Sequence, residues 1–141
     1  ISHTMMPEAL LKKGLPDALR ELVNRIDQSK LAFSLSISGI ESRLTQTLET
    51  NLYRIIQEAI NNTLKHALAS TMDIQLSCHN NTLDITLEDN GKGFNLAALD
   101  TVKGIGLKNI ISRVNVLNGK LDIDSQPGKG TLLAITIPYT A

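Results

Sequence analysis

Apolar and polar positions alternate along this chain with two periods, and the changes between them mark its elements. Leu15, Leu19, Leu22, Val23 and Ile26 recur every three or four residues, which predicts an amphipathic helix to about Ile26. Pro16 suits the first helical position and acidic Asp17 the first turn. Leu31, Phe33, Leu35 and Ile37 then alternate with Ala32, Ser34 and Ser36, the period of a half-buried strand, and Ser38-Gly39 closes it. Thr45 or Thr47 can cap the next helix, which runs to about Ala67. At about 100° per residue, Leu48, Leu52, Ile55, Ile56, Ala59 and Thr63 cluster on one face of it. Glu58, Asn62 and Lys65 fall within about 60° of one another beside that face, where groups lining a pocket next to the core would sit.

Two strands follow. Met72, Ile74, Leu76 and Cys78 alternate with polar residues, Asn80-Asn81 can take the positive φ of a tight turn, and Leu83, Ile85 and Leu87 alternate in return. Leu107, Ile110, Ile111, Val114 and Leu117 predict a third helix, stopped at Asn118-Gly119. Leu121 and Ile123, a Pro127-Gly128-Lys129-Gly130 turn, and Leu133, Ile135 and Ile137 predict a closing hairpin that ends at Pro138. Alternation implies one covered and one wet sheet face. The expected fold is an α/β (α+β) two-layer sandwich: a mixed, mostly antiparallel sheet of about five strands with three helices on one face.

Composition narrows the field. With 141 residues, 42% hydrophobic and 20% charged, the chain reads as one soluble globular domain. Lys plus Arg equals Asp plus Glu at 14 each, which leaves no basic field for nucleic acid. No run approaches the roughly 18 apolar residues of a membrane span. The lone Cys78 cannot build a disulfide framework and is expected to be an inert core thiol. His3, His66, His79 and Cys78 lack zinc-ligand spacing. The start at Ile1 rather than Met suggests a piece of something longer, cytoplasmic in exposure. Residues 1–14 are expected to be a helix tail and connector, and 15–141 the domain.

Three segments carry candidate chemistry. Asp89-Asn90-Gly91-Lys92-Gly93-Phe94 follows a strand directly, and is by itself equally an Asn-Gly turn. Its second glycine would let a ligand approach the backbone, and Asp89 could accept a hydrogen bond from an exocyclic amine such as adenine N6. Guanine would present a carbonyl there and leave both acceptors unpaired. Gly104-Ile105-Gly106-Leu107 opens a helix whose bare N–H groups suit phosphate, although it matches neither the dinucleotide fingerprint nor the P-loop. Asn62 offers Mg²⁺ a hard amide oxygen, and Lys65 offers phosphate a point charge. The alternative for Glu58 and Lys65 is a solvated helix flank. Asn61-Asn62 weighs against it, because paired asparagines lower helix propensity with no local return.

Taken in order, these segments resemble the ATP-binding catalytic domain of bacterial sensor histidine kinases, a branch of the superfamily shared with gyrase B and the ninety-kilodalton heat-shock chaperones (the Bergerat ATP fold, or GHKL). Residues 57–67, QEAINNTLKHA, look like the N box; DNGKGF, 89–94, and GIGLKNI, 104–110, like the two glycine boxes; and GKGT, 128–131, like the closing element. The resemblance runs from about Leu15 to Tyr139 and is greatest to the nitrate- and thermosensor-type subfamily. It implies that Asp89 binds the adenine amine with Thr131, directly or through water. It implies that Asn62 coordinates Mg²⁺, with Glu58 a candidate second ligand, and that Lys65 and His66 approach the phosphates. Gly91, Gly93, Gly104, Ile105, Gly106 and Leu107 would shape the pocket, and residues 95–103 would form the ATP lid. Glu58 also matches the acid that activates water in the ATPase branches. The implied partners are ATP or ADP, a dimerisation and phosphoacceptor domain upstream, and a response-regulator receiver domain. His3, followed by Thr4, lacks the acidic neighbour typical of the phosphoacceptor. The fragment is therefore expected to be monomeric and inactive in autophosphorylation alone. Rival functions are a nucleotide-dependent interaction module, such as an anti-sigma serine kinase or degenerate kinase, and an ATP-hydrolysing machine with Glu58 as base.

Overall fold

A computed structural model describes residues 6–26, 29–95 and 107–139, with the side chains of all but His66 and Ala67. His3, residues 96–103 of the expected lid, and Gly104, Ile105 and Gly106 lie outside the described residues. The elements are α1 (Glu8–Lys12), α2 (Leu15–Asn24), β1 (Ala32–Ser38), α3 (Gln46–Asn62) with a π-helical turn (Thr63–Ala67), β2 (Thr71–His79), β3 (Thr82–Asp89), α4 (Leu107–Val116), β4 (Lys120–Ser125) and β5 (Thr131–Pro138). The five strands form one sheet in the order β1-β2-β3-β5-β4. β1 and β2 run parallel, joined by the crossover through α3, and every other pair is antiparallel. The mixed, mostly antiparallel sheet is the one the alternation predicts.

The register lines up the inward residues in rows. Leu35, Ile74, Leu87, Leu133 and Ile123 form one, and Ile37, Leu76, Ile85, Ile135 and Leu121 another. These rows share a single core with Leu15, Leu19 and Val23 of α2, with Leu48, Leu52, Ile55, Ile56 and Ala59 of α3, and with Leu107, Ile110 and Val114 of α4. The other face carries Asp73, Gln75, Asp84, Thr86, Glu88, Asp122 and Asp124, none of them buried. Edge strands β1 and β4 have one neighbour each, so most of their inward residues are only half-buried. No helix among the described residues is long and apolar enough to cross a membrane.

The turns follow backbone chemistry. Thr45 caps α3, its hydroxyl accepting from Leu48 N at 3.3 Å. Asn80 and Asn81, at φ 49° and 61°, form the tight β2–β3 turn, as expected. After α4 the detail differs from the usual glycine stop: Asn118 takes the left-handed position at φ 57°. Gly119 N then bonds Val114 O at 2.9 Å and Asn118 N bonds Asn115 O at 3.0 Å, a Schellman closure. Gly119 is needed for room instead, since a Cβ there would lie 2.9 Å from Thr136 O.

One ion pair was not anticipated. The Glu49 side chain is 4% exposed and takes the Arg43 guanidinium in a fork, with Nη2 to Oε1 at 2.8 Å and Nε to Oε2 at 3.1 Å. Arg43 Nη2 also donates to Leu10 O at 3.2 Å, and Leu44 N donates to the same carboxylate at 3.4 Å. The bond to Glu49 raises the Arg43 pKa above its ordinary value. This clamp holds α1, whose Ala9 and Leu10 are buried, against the rest of the chain. Glu49→Gln is expected to lower the thermal midpoint by about 5 °C or more, followed by circular dichroism, because it leaves Arg43 without its counter-charge. A variant melting with the parent would mean the clamp adds nothing.

Candidate nucleotide site

The inward face of the sheet changes character at one end. The row Phe33, Met72, Asp89, Thr131 and Ser125 is aligned across all five strands, yet its last three members are polar. Asp89 and Thr131, the expected base-binding pair, are thus direct partners across β3 and β5. Asp89 is half-buried and both its oxygens are engaged: Gly91 N donates to Oδ1 at 2.8 Å and Thr63 Oγ1 to Oδ2 at 3.3 Å.

Asn90-Gly91 is not a positive-φ Asn-Gly turn, because neither residue has positive φ. Asn90 instead clips the chain that follows the π-helical turn. Its Oδ1 accepts from Ser70 N at 2.9 Å and Thr71 N at 3.0 Å, and its Nδ2 donates to Ser70 Oγ at 2.8 Å. Gly93 has the left-handed backbone that glycine permits, at φ 62°, but the close neighbour is protein. A Cβ there would sit 2.1 Å from Gln126 O, and one on Gly130, at φ 75°, 2.2 Å from Asp89 O. The two glycines interlock the 90–94 and 126–130 loops.

Ser125 fastens that interlock, and sequence reasoning missed it. Its hydroxyl is buried, accepts from Phe94 N at 2.9 Å, donates to Gly130 O at 3.1 Å and lies 2.9 Å from Thr131 Oγ1. With its only proton on the Gly130 carbonyl, Thr131 donates to Ser125 and keeps its lone pairs for a ligand. A signal was present: Leu121, Ile123 and residue 125 share a face, so a serine there must find buried partners.

α3 supplies the other wall. Asn62 is half-buried, and its Nδ2 is enclosed without a partner among the described residues. Glu58, one turn earlier, is half-buried. Thr63, next to Asn62, bonds Asp89, so helix and strand converge on one place. The α-helical wheel fails just beyond. Thr63–Ala67 is π-helical, which turns Lys65 away from its expected angle and leaves it exposed. His66 lies in the same turn, with its side chain outside the description. Leu107 starts α4 as a buried core residue. A cleft of about 270 Å³ opens beside the β4–β5 turn, lined by Thr131 and Ser125 together with Glu88, Asp124 and Lys129, and includes neither Asp89 nor Asn62.

Asn62, whose amide nitrogen has no partner among the described residues, sits one turn after the Glu58 carboxylate. The Asn62 amide oxygen and the Glu58 carboxylate are hard donors of the kind Mg²⁺ takes, and Mg²⁺ keeps most of its waters and needs few protein ligands. The unpartnered amide nitrogen is a donor and suits an acceptor such as a phosphate oxygen. Among the described residues no three His, Cys, Asp or Glu side chains gather into an all-protein metal cage.

The fold is that of the Bergerat type of ATP-binding domain. The family model described as "Histidine kinase-, DNA gyrase B-, and HSP90-like ATPase" matches residues 47–141, and the chain belongs to that family. It is 31% identical over 136 residues to the sensor histidine kinase LiaS of Bacillus subtilis, covering 95% of this chain and 37% of that protein. It is 34% identical over 142 residues to the histidine-protein kinase/phosphatase DegS of Brevibacillus brevis, covering 99% and 36%. The chain therefore spans well under half the length of these relatives. Among solved structures, the histidine kinase domain of the Erythrobacter litoralis blue-light activated kinase superposes with a TM-score of 0.69 at 20% identity, covering 86% of this chain and 58% of that one, which establishes the shared fold.

Ser125→Ala is expected to destabilise the chain by about 2 kcal/mol in urea titrations, because Phe94 N–H and Gly130 C=O lose their buried partner. An unchanged midpoint would mean water replaces the hydroxyl.

Proposed function

We propose that this chain binds Mg·ATP as the catalytic domain of a sensor histidine kinase and donates the γ-phosphoryl to a histidine outside it. The observation that carries this is the polar end of an otherwise apolar sheet face, Asp89 and Thr131, beside Asn62, whose amide nitrogen has no partner among the described residues. Asp89 accepts from the adenine 6-amino group through the lone pairs that Gly91 and Thr63 leave free, and Thr131 adds an acceptor beside it. Asn62 and Glu58 would hold Mg²⁺, which supplies charge neutralisation at the phosphates when bound. Lys65, exposed at the end of the helix, approaches the phosphates as a mobile cation, with His66 next to it.

The transfer needs little covalent help from the protein. A nitrogen of the acceptor imidazole bonds to the γ-phosphorus, the bond from that phosphorus to the β–γ bridging oxygen breaks, and ADP leaves with the electron pair. The chain's contribution is to hold the nucleotide still while the acceptor is brought in line. The phosphohistidine would then pass its phosphoryl to an aspartate of a response-regulator receiver domain. Residues 1–14 would be the end of the dimerisation helix and its connector, and the parent's site of action the cytoplasm. The names of the relatives support this reading, since LiaS and DegS are both histidine kinases.

Calorimetric titration with ATP, ADP and GTP, with and without Mg²⁺, tests it. Adenine nucleotides are expected to bind and GTP to bind at least about 100-fold more weakly, because a 6-oxo group faces acceptors only. Asp89→Asn is expected to weaken ADP by about 10- to 100-fold. Asn62→Ala is expected to erase the affinity difference that Mg²⁺ makes for ATP. Failure of any nucleotide to bind would overturn the proposal and favour an interaction module. Radiolabel from γ-labelled ATP on His3 of this chain alone would overturn the assignment of the acceptor to an outside segment.

A further inference from the structure

We propose that Thr63 is a positioning residue for base selection: its hydroxyl holds the Asp89 carboxylate in the orientation that receives a purine 6-amino group. The inference rests on the nucleotide reading above and assigns a residue to one part of it.

A carboxylate at the end of a strand can rotate, and only some orientations leave a lone pair aimed along the sheet row toward a base. Gly91 N, at 2.8 Å from Oδ1, restrains one oxygen by a bond from the residue two positions on, which moves with the same loop. Thr63 Oγ1, at 3.3 Å from Oδ2, restrains the other from a different element. With two anchors of independent origin the carboxylate plane is set, and one lone pair on each oxygen stays free.

The placement of Thr63 supports the role. A threonine within a helix commonly turns its hydroxyl back to the carbonyl a turn earlier, whereas here it reaches across to β3. It is 6% exposed, so water competes weakly for the bond. It is also the first residue of the π-helical turn and follows Asn62 directly. Adjacent residues of one helix thus serve the two ends of the nucleotide, Asn62 the phosphate end and Thr63 the base end. A purely structural role would tie α3 to β3 and weaken every ligand alike. The positioning role acts only through Asp89 and only on a 6-amino group.

Calorimetry on this chain with Mg²⁺ separates the two, comparing ADP with purine riboside 5′-diphosphate, which carries hydrogen in place of the amine. Thr63→Val keeps the branched shape and removes the hydroxyl. It is expected to weaken ADP about tenfold and the amine-free analogue less than about twofold. Thr63→Ser is expected to restore ADP to within about threefold of the parent. Added to Asp89→Asn, Thr63→Val is expected to cost less than about twofold more, because its effect runs through the carboxylate. Equal losses for both ligands, or the full tenfold loss on top of Asp89→Asn, would overturn the proposal. Thr63→Ala carries the same comparison should the valine variant fail to show a folded circular dichroism spectrum. Absence of ADP binding in the parent sinks this inference together with the nucleotide reading. Adenine-selective, Asp89-dependent binding that Thr63→Val lowers without regard to the amine sinks this inference alone.

Discussion

Strand register is the constraint on which the rest depends. Asp89, Thr131 and Ser125 come from three strands, and only the pairing of β3 with β5 and of β5 with β4 puts them in one inward row. A slip of one residue would bring Glu88 and Leu132 to the inner face in place of Asp89 and Thr131. It would also turn Leu83, Ile85 and Leu87 outward, so the apolar rows resist the slip on behalf of the polar one. The core therefore does more than stabilise. It meters the position of a carboxylate that makes no apolar contact of its own worth the cost of its partial burial.

The loops at that end are held by a different device. Gly93 and Gly130 each bring a backbone against a carbonyl closer than any side chain would permit, and the buried Ser125 hydroxyl ties both loops to Thr131. The end that carries Asp89 and Thr131 is thus held by the protein's own contacts, which would limit the ordering cost of binding a ligand there. Asn90 extends the arrangement to the exit of the π-helical turn through Ser70 and Thr71. One short loop sets the floor of the site and the path of the chain that leaves its opposite wall.

Much of this was legible in the residues, and the parts that were not share a cause. Period-two alternation marked all five strands, and Asn80-Asn81 announced its turn, because both signals are local. Asp89 and Asn62 stood out as polar groups at the ends of apolar patterns. The Arg43–Glu49 clamp was hidden because Glu49 looks like an ordinary first-turn acid until the fold buries it. Ser125 was hidden because Phe94 comes from a distant loop, and Gly130 and Thr131 meet it only once the 126–130 turn brings the chain back. The π-helical turn escaped because wheel angles assume one helical pitch throughout, and Lys65 was displaced accordingly. Gly93 was noticed for a close approach, but the backbone it meets is that of Gln126, since spacing says that a close approach is allowed but not by what. The parallel pairing of β1 with β2 is a property of the crossover, which no single segment carries.

The unpartnered Asn62 amide ties function back to stability. An enclosed donor without an acceptor costs about 1–3 kcal/mol, a sizeable share of what holds a domain together. Evolutionary replacement by an apolar residue on this half-buried flank would recover that cost, and helix propensity favours it too. The deficit would close if an acceptor such as a phosphate oxygen arrived at the amide nitrogen. Thr63, one residue on, has its partner in Asp89, whereas the Asn62 amide nitrogen has none among the described residues. On the nucleotide reading proposed above, the helix end would be finished on the base side and open on the phosphate side. That asymmetry would suit the proposed function, in which the adenine end is held while bonds are made and broken at the phosphate end.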